Sequence, residues 1–222
     1  MSILVETFPA LTVGGLCRSA FVGRVSDLDV ATDREAALQR LAEYHEQARR
    51  DLGFAEMAFV TAEQVHGAEV AIVGETTRSP VPNADALITN RPNVCLGIYV
   101  ADCCAVYVVD LRSAAIGLAH SGKKGTELGV VPAMLRKMES AYGTEPGDTV
   151  VVLSPCIRPP YYEVDFAAEI ARQCREMGVG EFVDPGVCTA AEPHRYYSYR
   201  LEKGQTGRML ALLALNGPQM DD

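Results

Sequence analysis

Val94-Cys95-Leu96-Gly97-Ile98-Tyr99-Val100 runs into Ala101-Asp102-Cys103-Cys104, and Ala105-Val106-Tyr107-Val108-Val109-Asp110 follows without a spacer. Both flanks are short apolar runs rich in β-branched residues, the pattern of strands buried in a sheet. The break between them holds a carboxylate and two thiols, where side chains can point into a cleft. Similar runs bracket the pair: Met57 to Thr61, Ala68 to Val73 and Ala84 to Thr89 before it, and Ala114 to His120 after it. Pro80, Pro82, Asn83 and Arg91-Pro92-Asn93 punctuate these runs as loops and turns.

Helical periodicity lies on either side of this block. Thr32 to Glu35 has the form of a capping box, and Leu38, Leu41, His45, Ala48 and Leu52 follow as one apolar seam stopped by Gly53. His45 on that seam reads as a structural histidine. A second helix places Leu128, Val131, Leu135, Met138 and Tyr142 on one face. Pro132 is comfortable only in a first turn, so this helix starts near Val131 or kinks there. Thr149 to Ser154 reads as a buried strand, and Asp165 caps a helix through Phe166, Ile170, Cys174 and Met177 that ends at Gly178. Tyr196 to Leu201 reads as a further strand, and Thr206 as the opening of an apolar C-terminal helix. Strands cluster mid-chain without regular βα alternation, which points to an α+β fold with mixed sheets. One domain spans 1–222, with 217–222 expected as a flexible tail.

Bulk properties narrow the function. The 222 residues are 48% hydrophobic and 22% charged, as in an ordinary globular protein. The net charge of −9 argues against nucleic-acid binding, which needs clustered Lys and Arg. The longest basic run is Lys123-Lys124, and no apolar stretch approaches membrane-spanning length, so no membrane partner is expected. Met1-Ser2-Ile3-Leu4-Val5-Glu6 lacks the positive start of a signal peptide, and a cytoplasmic location follows as the expectation. Seven cysteines in no paired spacing read mostly as small buried hydrophobes in a reducing compartment, with Cys103 the exception.

His66, Cys103 and His120 carry the chemistry. Each sits at the end of a strand-like run beside small residues, in Gln64-Val65-His66-Gly67, Ala101-Asp102-Cys103-Cys104 and Ala119-His120-Ser121-Gly122. Two imidazoles and one thiolate make a three-ligand zinc (Zn2+) site with a fourth position open. The same side chains also suit a metal-free cysteine hydrolase, with Cys103 as nucleophile and His120 as base. Gly117 to Lys124 nearly matches a phosphate loop, but Lys124 stands where a magnesium-binding Ser or Thr belongs. A weaker version survives, in which this loop's amides and lysines hold one phosphate.

The four segments Gln64 to Gly67, Ala84-Asp85-Ala86-Leu87-Ile88-Thr89, Ala101 to Cys103 and Ala119 to Gly122 together resemble the laccase-domain family, also called YfiH-like or polyphenol oxidase-like. The likeness continues through Tyr162-Glu163-Val164, Cys188-Thr189, Tyr197-Ser198-Tyr199-Arg200 and Thr206-Gly207-Arg208. It implies a four-layer α/β/β/α-like domain and a zinc ion on His66, Cys103 and His120. It also implies purine nucleoside phosphorylase activity on adenosine, inosine, guanosine and methylthioadenosine, with adenosine deaminase activity beside it. The partners are then a purine nucleoside and phosphate. Zinc suits attack of water at C6 of adenine with release of ammonia, whereas the laccase label implies copper. A multicopper set needs many more histidines than the four present.

Departures from the family pattern fall in the loops. His120-Ser121-Gly122-Lys123-Lys124-Gly125 stands where His-Ala-Gly-Trp-Arg-Gly is usual, so an aromatic and a guanidinium are both replaced by lysine. Arg18-Ser19-Ala20-Phe21 replaces a Gly-Pro-Tyr-type segment, and Arg158-Pro159-Pro160-Tyr161 replaces Gly-Pro-Cys-Cys. Asp102 and Asp85 are candidates for orienting ligands or moving protons, and Gln64, Asp85, Lys123 and Lys124 for contacts to substrate or phosphate. Arg200 and Arg208 read as surface or structural residues. A family member that keeps the metal but has lost turnover is a further alternative, and a monomer is the default oligomeric state.

Overall fold

The computed structural model describes residues 3–217, so most of the 217–222 tail lies outside the described residues. In chain order its elements begin with β1 (Ile3–Glu6), a 3-10 turn, β2 (Cys17–Val25) and α1 (Arg34–Asp51). Next come β3 (Ala58–Thr61), β4 (Val70–Ile72), β5 (Ala86–Thr89), β6 (Val94–Val100), β7 (Cys104–Asp110) and β8 (Ala115–Ser121). After α2 (Lys123–Glu127) and α3 (Val130–Tyr142) follow β9 (Thr149–Leu153), α4 (Phe166–Met177), β10 (Glu181–Val183) and β11 (Met209–Leu215). Two mixed sheets result, one ordered β1-β2-β11-β6-β3 and the other β10-β9-β7-β8-β5-β4.

Side-chain alternation stacks these sheets into four layers. On β11, Met209, Ala211, Leu213 and Leu215 point into a core shared with Ala105, Tyr107 and Val109 of β7, so the sheets face each other. The alternate residues Leu210, Leu212 and Ala214 pack with Ala48 of α1 on the outer side of the first sheet. Cys104, Val106 and Val108 of β7 meet Met134, Leu135 and Met138 of α3 and Ile170 and Cys174 of α4 on the outer side of the second. The arrangement is α/β/β/α in a single mixed domain.

Some local expectations hold and others need correction. The cap of α1 is Asp33, whose carboxylate accepts from the Ala36 amide at 3.0 Å, and not Thr32. Pro132 sits in the first turn of α3, where its missing N–H leaves no bond unmade. Tyr196 to Leu201 is a loop rather than a strand, because its polar groups bond to Asp102 instead of a neighbouring strand. The apolar run after Thr206 is a strand, β11, and not a helix. Met, Leu and Ala favour helices, but pairing on both sides with β2 and β6 overrides that preference. His45 is buried on α1 as a structural residue, 5.6 Å from the Tyr99 ring. No helix among the described residues is long and apolar enough to cross a membrane.

Candidate metal centre and cavity

The three ligand candidates come from three different kinds of backbone. His66 lies in the loop after β3, Cys103 in the turn between β6 and β7, and His120 within β8 rather than at its end. Their ligand atoms all fall within 4.8 Å of one another, and the two imidazole rings meet edge to face with centroids 4.8 Å apart. Strained backbone marks the spot: Gln64, His66 and Asp102 have φ of 65°, 61° and 80°, in the left-handed region that side chains disfavour.

Hydrogen bonds hold that strain in place. The fully buried Asp85 carboxylate accepts from the main-chain N–H of Val65 at 3.2 Å, His66 at 3.0 Å and Gly67 at 2.6 Å. The same group lies 2.8 Å from His120 Nδ1, which leaves Nε2 as the atom facing Cys103. Burial opposes the charge on Asp85, yet the bonds from His120 and from the loop amides outweigh it and keep the carboxyl below its usual range. Gln64 clamps the other side of the loop: its amide donates to the Tyr99 carbonyl at 2.5 Å and accepts from the Tyr99 N–H at 3.0 Å.

Asp102 works in the opposite direction along the chain. It accepts from Thr189 Oγ1 at 2.7 Å, Ser198 Oγ at 3.0 Å and the Arg200 amide at 2.7 Å, drawing the 189–200 segment over the Cys103 turn. Burial raises its carboxyl above the usual range against the pull of these donors.

The thiol itself is poised as a ligand. Burial opposes a thiolate, but contacts with the His120 and His66 imidazoles overcome that and lower Cys103 to about 6. His120 mirrors it: burial disfavours its cation, while the Cys103 thiolate and the Asp85 bond push it up to about 9. Space for the sulfur is provided by Gly122, where a Cβ would lie 2.5 Å from Cys103 Sγ. A soft thiolate and two imidazoles, one with its tautomer fixed by the Asp85 carboxylate, form a donor set that suits a four-coordinate borderline metal with one open position.

These residues open on a cavity of about 770 Å³. Gln64, Asp102 and Lys123 share its wall with the triad, whereas Asp85 stands behind it as a support and Lys124 is not on the wall. Sequence reasoning missed most of the remaining lining. Tyr99, Tyr162, Phe166 and Tyr199 supply an aromatic side, and Arg34, Arg200, Lys203 and Arg208 supply cations. Arg208 is buried at 8% exposure, while Arg200 is exposed and ion-pairs with Glu163, and both line the cavity. The clustering of Tyr, Arg and Lys between 196 and 208 was the available signal. Of the other cysteines, Cys17, Cys95, Cys104, Cys156 and Cys174 are buried and Cys188 is partly so, all as free thiols.

Comparison with known proteins agrees with this geometry. The chain matches the family described as multi-copper polyphenol oxidoreductase laccase, over residues 12–174 and 164–216. It is 29% identical to purine nucleoside phosphorylase YlmD of Geobacillus stearothermophilus, over 90% of this chain and 86% of that protein. It is 30% identical to purine nucleoside phosphorylase SCO2081 of Streptomyces coelicolor, over 77% and 81%. The crystal structure of Bacillus licheniformis YfiH superposes with a TM-score of 0.80 at 22% identity, covering 90% of this chain and 93% of that one. Neisseria meningitidis NMB0706 superposes at 0.81 with 21% identity, covering 98% and 100%. With His66, Cys103 and His120 clustered as a group that could hold a metal, and the match running through nearly the whole described chain, the protein belongs to the multi-copper polyphenol oxidoreductase laccase family of YfiH-like proteins.

Proposed function

We propose that the protein is a zinc-dependent purine nucleoside phosphorylase, acting on adenosine, inosine, guanosine or methylthioadenosine, with adenosine deamination as a second activity. The observation that supports it best is the cavity, which puts aromatic surfaces and cations on the same walls as three side chains that could hold a metal. Relatives across most of the chain's length carry the phosphorylase name. Zinc is favoured over copper because a thiolate with two imidazoles suits it, and because the chain holds only four histidines.

In phosphorolysis an oxygen of hydrogen phosphate bonds to the anomeric carbon as the carbon–nitrogen bond to the purine breaks. The nitrogen keeps the bonding pair and receives the proton that the phosphate gives up, so ribose 1-phosphate and free purine result. When bound, zinc supplies Lewis acidity at the open position of the triad. The protein's own groups bind and orient. Tyr162, Phe166 and Tyr199 offer faces on which a flat base can stack, and Tyr162 meets Phe166 at a 6.1 Å centroid distance that fixes its ring. Gln64 and Asp85 hold the His66 loop while Asp102 holds the segment carrying Tyr199 and Arg200. Asp102 lines the cavity and is our candidate for exchanging a proton with bound substrate.

The test is metal analysis and turnover on the same preparations of wild type and Cys103→Ala. About one zinc per chain in wild type, lost in the variant, together with phosphate-dependent release of purine, is the expected result. Activity that persists without metal and is abolished by alkylating Cys103 would move the cysteine hydrolase ahead. Bound zinc with no turnover of any purine nucleoside would leave a metal-binding member without activity.

A further inference from the structure

Five cations stand on the cavity wall of a chain whose net charge is −9: Arg34, Lys123, Arg200, Lys203 and Arg208. Among the described residues, only Arg200 of these five is ion-paired, to Glu163. Arg208 is the informative one. It is 8% exposed, and its Nη1 donates to the carbonyls of Thr206 at 2.8 Å and Gly207 at 2.9 Å. Those two bonds fix one edge of the guanidinium. No carboxylate among the described residues meets the rest of it, although a buried charge ordinarily has a partner.

The surroundings sharpen the point. Burial and the like charge of Arg34 both act against the Arg208 cation, while Tyr199, Cys103 and Asp102 favour it from a distance without an ion pair. Arg34 stands in the first turn of α1, held by a 3.3 Å bond from Nη2 to the Glu63 carbonyl, and it also lines the cavity. Two guanidiniums that repel each other beside one cavity, neither of them ion-paired among the described residues, are stabilised when an anion enters. The planar fork of arginine matches a tetrahedral oxyanion better than an ammonium does.

We propose that Arg208, flanked by Arg34, is the phosphate-binding pair of the cavity. This rests on the phosphorylase reading and names the residues that select its inorganic co-substrate. It also accounts for the lysine-substituted loop after β8. Lys124 is off the cavity wall and α2 has only five residues, so the loop is not the main anion site, and Lys123 adds charge from the side.

The experiment varies phosphate and inosine independently in steady-state assays of zinc-loaded wild type, R208Q, R208K and R34Q. Binding of inorganic phosphate to the same proteins is measured by calorimetry without nucleoside. R208Q should raise KM for phosphate by about 30-fold or more, the size expected when one member of a desolvated charge pair is removed. R34Q should give a smaller rise, and R208K an intermediate one because it keeps charge without the fork. KM for inosine and zinc content should stay within about twofold of wild type in all three, since none is a ligand. Unchanged phosphate binding and KM in both R208Q and R34Q would overturn the assignment and leave the phosphorylase reading standing. Phosphate binding that is lost in R208Q, in an enzyme that cleaves no nucleoside, would sustain the site and remove the phosphorylase reading. If R208Q does not fold, R34Q carries the decision, because Arg34 is exposed at the start of a helix.

Discussion

Asp85 and His120 are joined twice, carboxylate Oδ1 to ring Nδ1 at 2.8 Å and main-chain carbonyl to main-chain N–H at 2.7 Å. The first bond fixes the ring and the second fixes the strand that carries it, while the other carboxylate contacts fold the His66 loop over both. One buried carboxylate therefore sets the spacing of two of the three candidate metal ligands. Asp85→Asn keeps the shape but turns an amide towards N–H groups that need an acceptor. Metal affinity should fall by about 10- to 100-fold, the usual consequence of losing a group that orients a ligating histidine. Titration against a chromogenic chelator measures it, and wild-type affinity in the variant would show that the carboxylate does not position the ligands.

Gly122 offers a more local test. A Cβ there meets Cys103 Sγ at 2.5 Å, and the His66 ring carbon at 4.0 Å. The strand before it is fixed by its pairing with β7, so the thiol is the group that gives way. Gly122→Ala should expel the metal while thermal stability of the metal-free protein falls by no more than about 1–2 kcal/mol, a modest overpacking cost. Metal content and a melting curve on the same sample separate the two effects.

The block from Val94 to Asp110 was legible because both strands are apolar runs of strand length, and β6 begins and ends at the residues expected. Helix α4 was legible for a different reason: Asp165 and Gly178 are end signals that act within a few residues of themselves. What stayed hidden depends on distant partners. Asp85 was a candidate for orienting ligands, but it is 35 residues from His120, and no spacing rule announces its bonds to three consecutive amides. Arg208 likewise looked like an ordinary basic residue, since only the fold shows it buried and short of a carboxylate. His66 was placed at a strand end, yet it sits in a loop whose left-handed φ exists only because Asp85 and Gln64 hold it there.

The C-terminal strand gives a test of the corrected assignment. Leu213 of β11 pairs with Ser19 of β2 on one side and Leu96 of β6 on the other, and its side chain is fully buried between the sheets. In the central strand, Leu213→Ala removes packing from the middle of the largest core and should cost about 2–5 kcal/mol. Denaturant unfolding with an unchanged m-value reads that cost directly.

His45 predicts the pH dependence of stability. Its ring is buried on α1, bonded to the Arg208 main chain, and Nε2 has no hydrogen-bond partner among the described residues. Burial lowers its pKa from 6.5 to about 4, with the Arg208 bond opposing only weakly. In the unfolded chain the imidazole takes a proton near pH 6.5, while in the folded chain it resists until about pH 4. The unfolded state therefore binds more protons within that window, and stability falls as pH drops through it. Above pH 6.5 the ring is neutral in both states and contributes no pH dependence. Below about pH 4 the loss is complete, at about 3 kcal/mol for a shift of this size. His45→Gln removes the titrating group, so its melting temperature should decline less than that of wild type between pH 7 and pH 4.5. Parallel declines in the two proteins would mean that other groups govern acid unfolding and that the buried imidazole is not proton-linked.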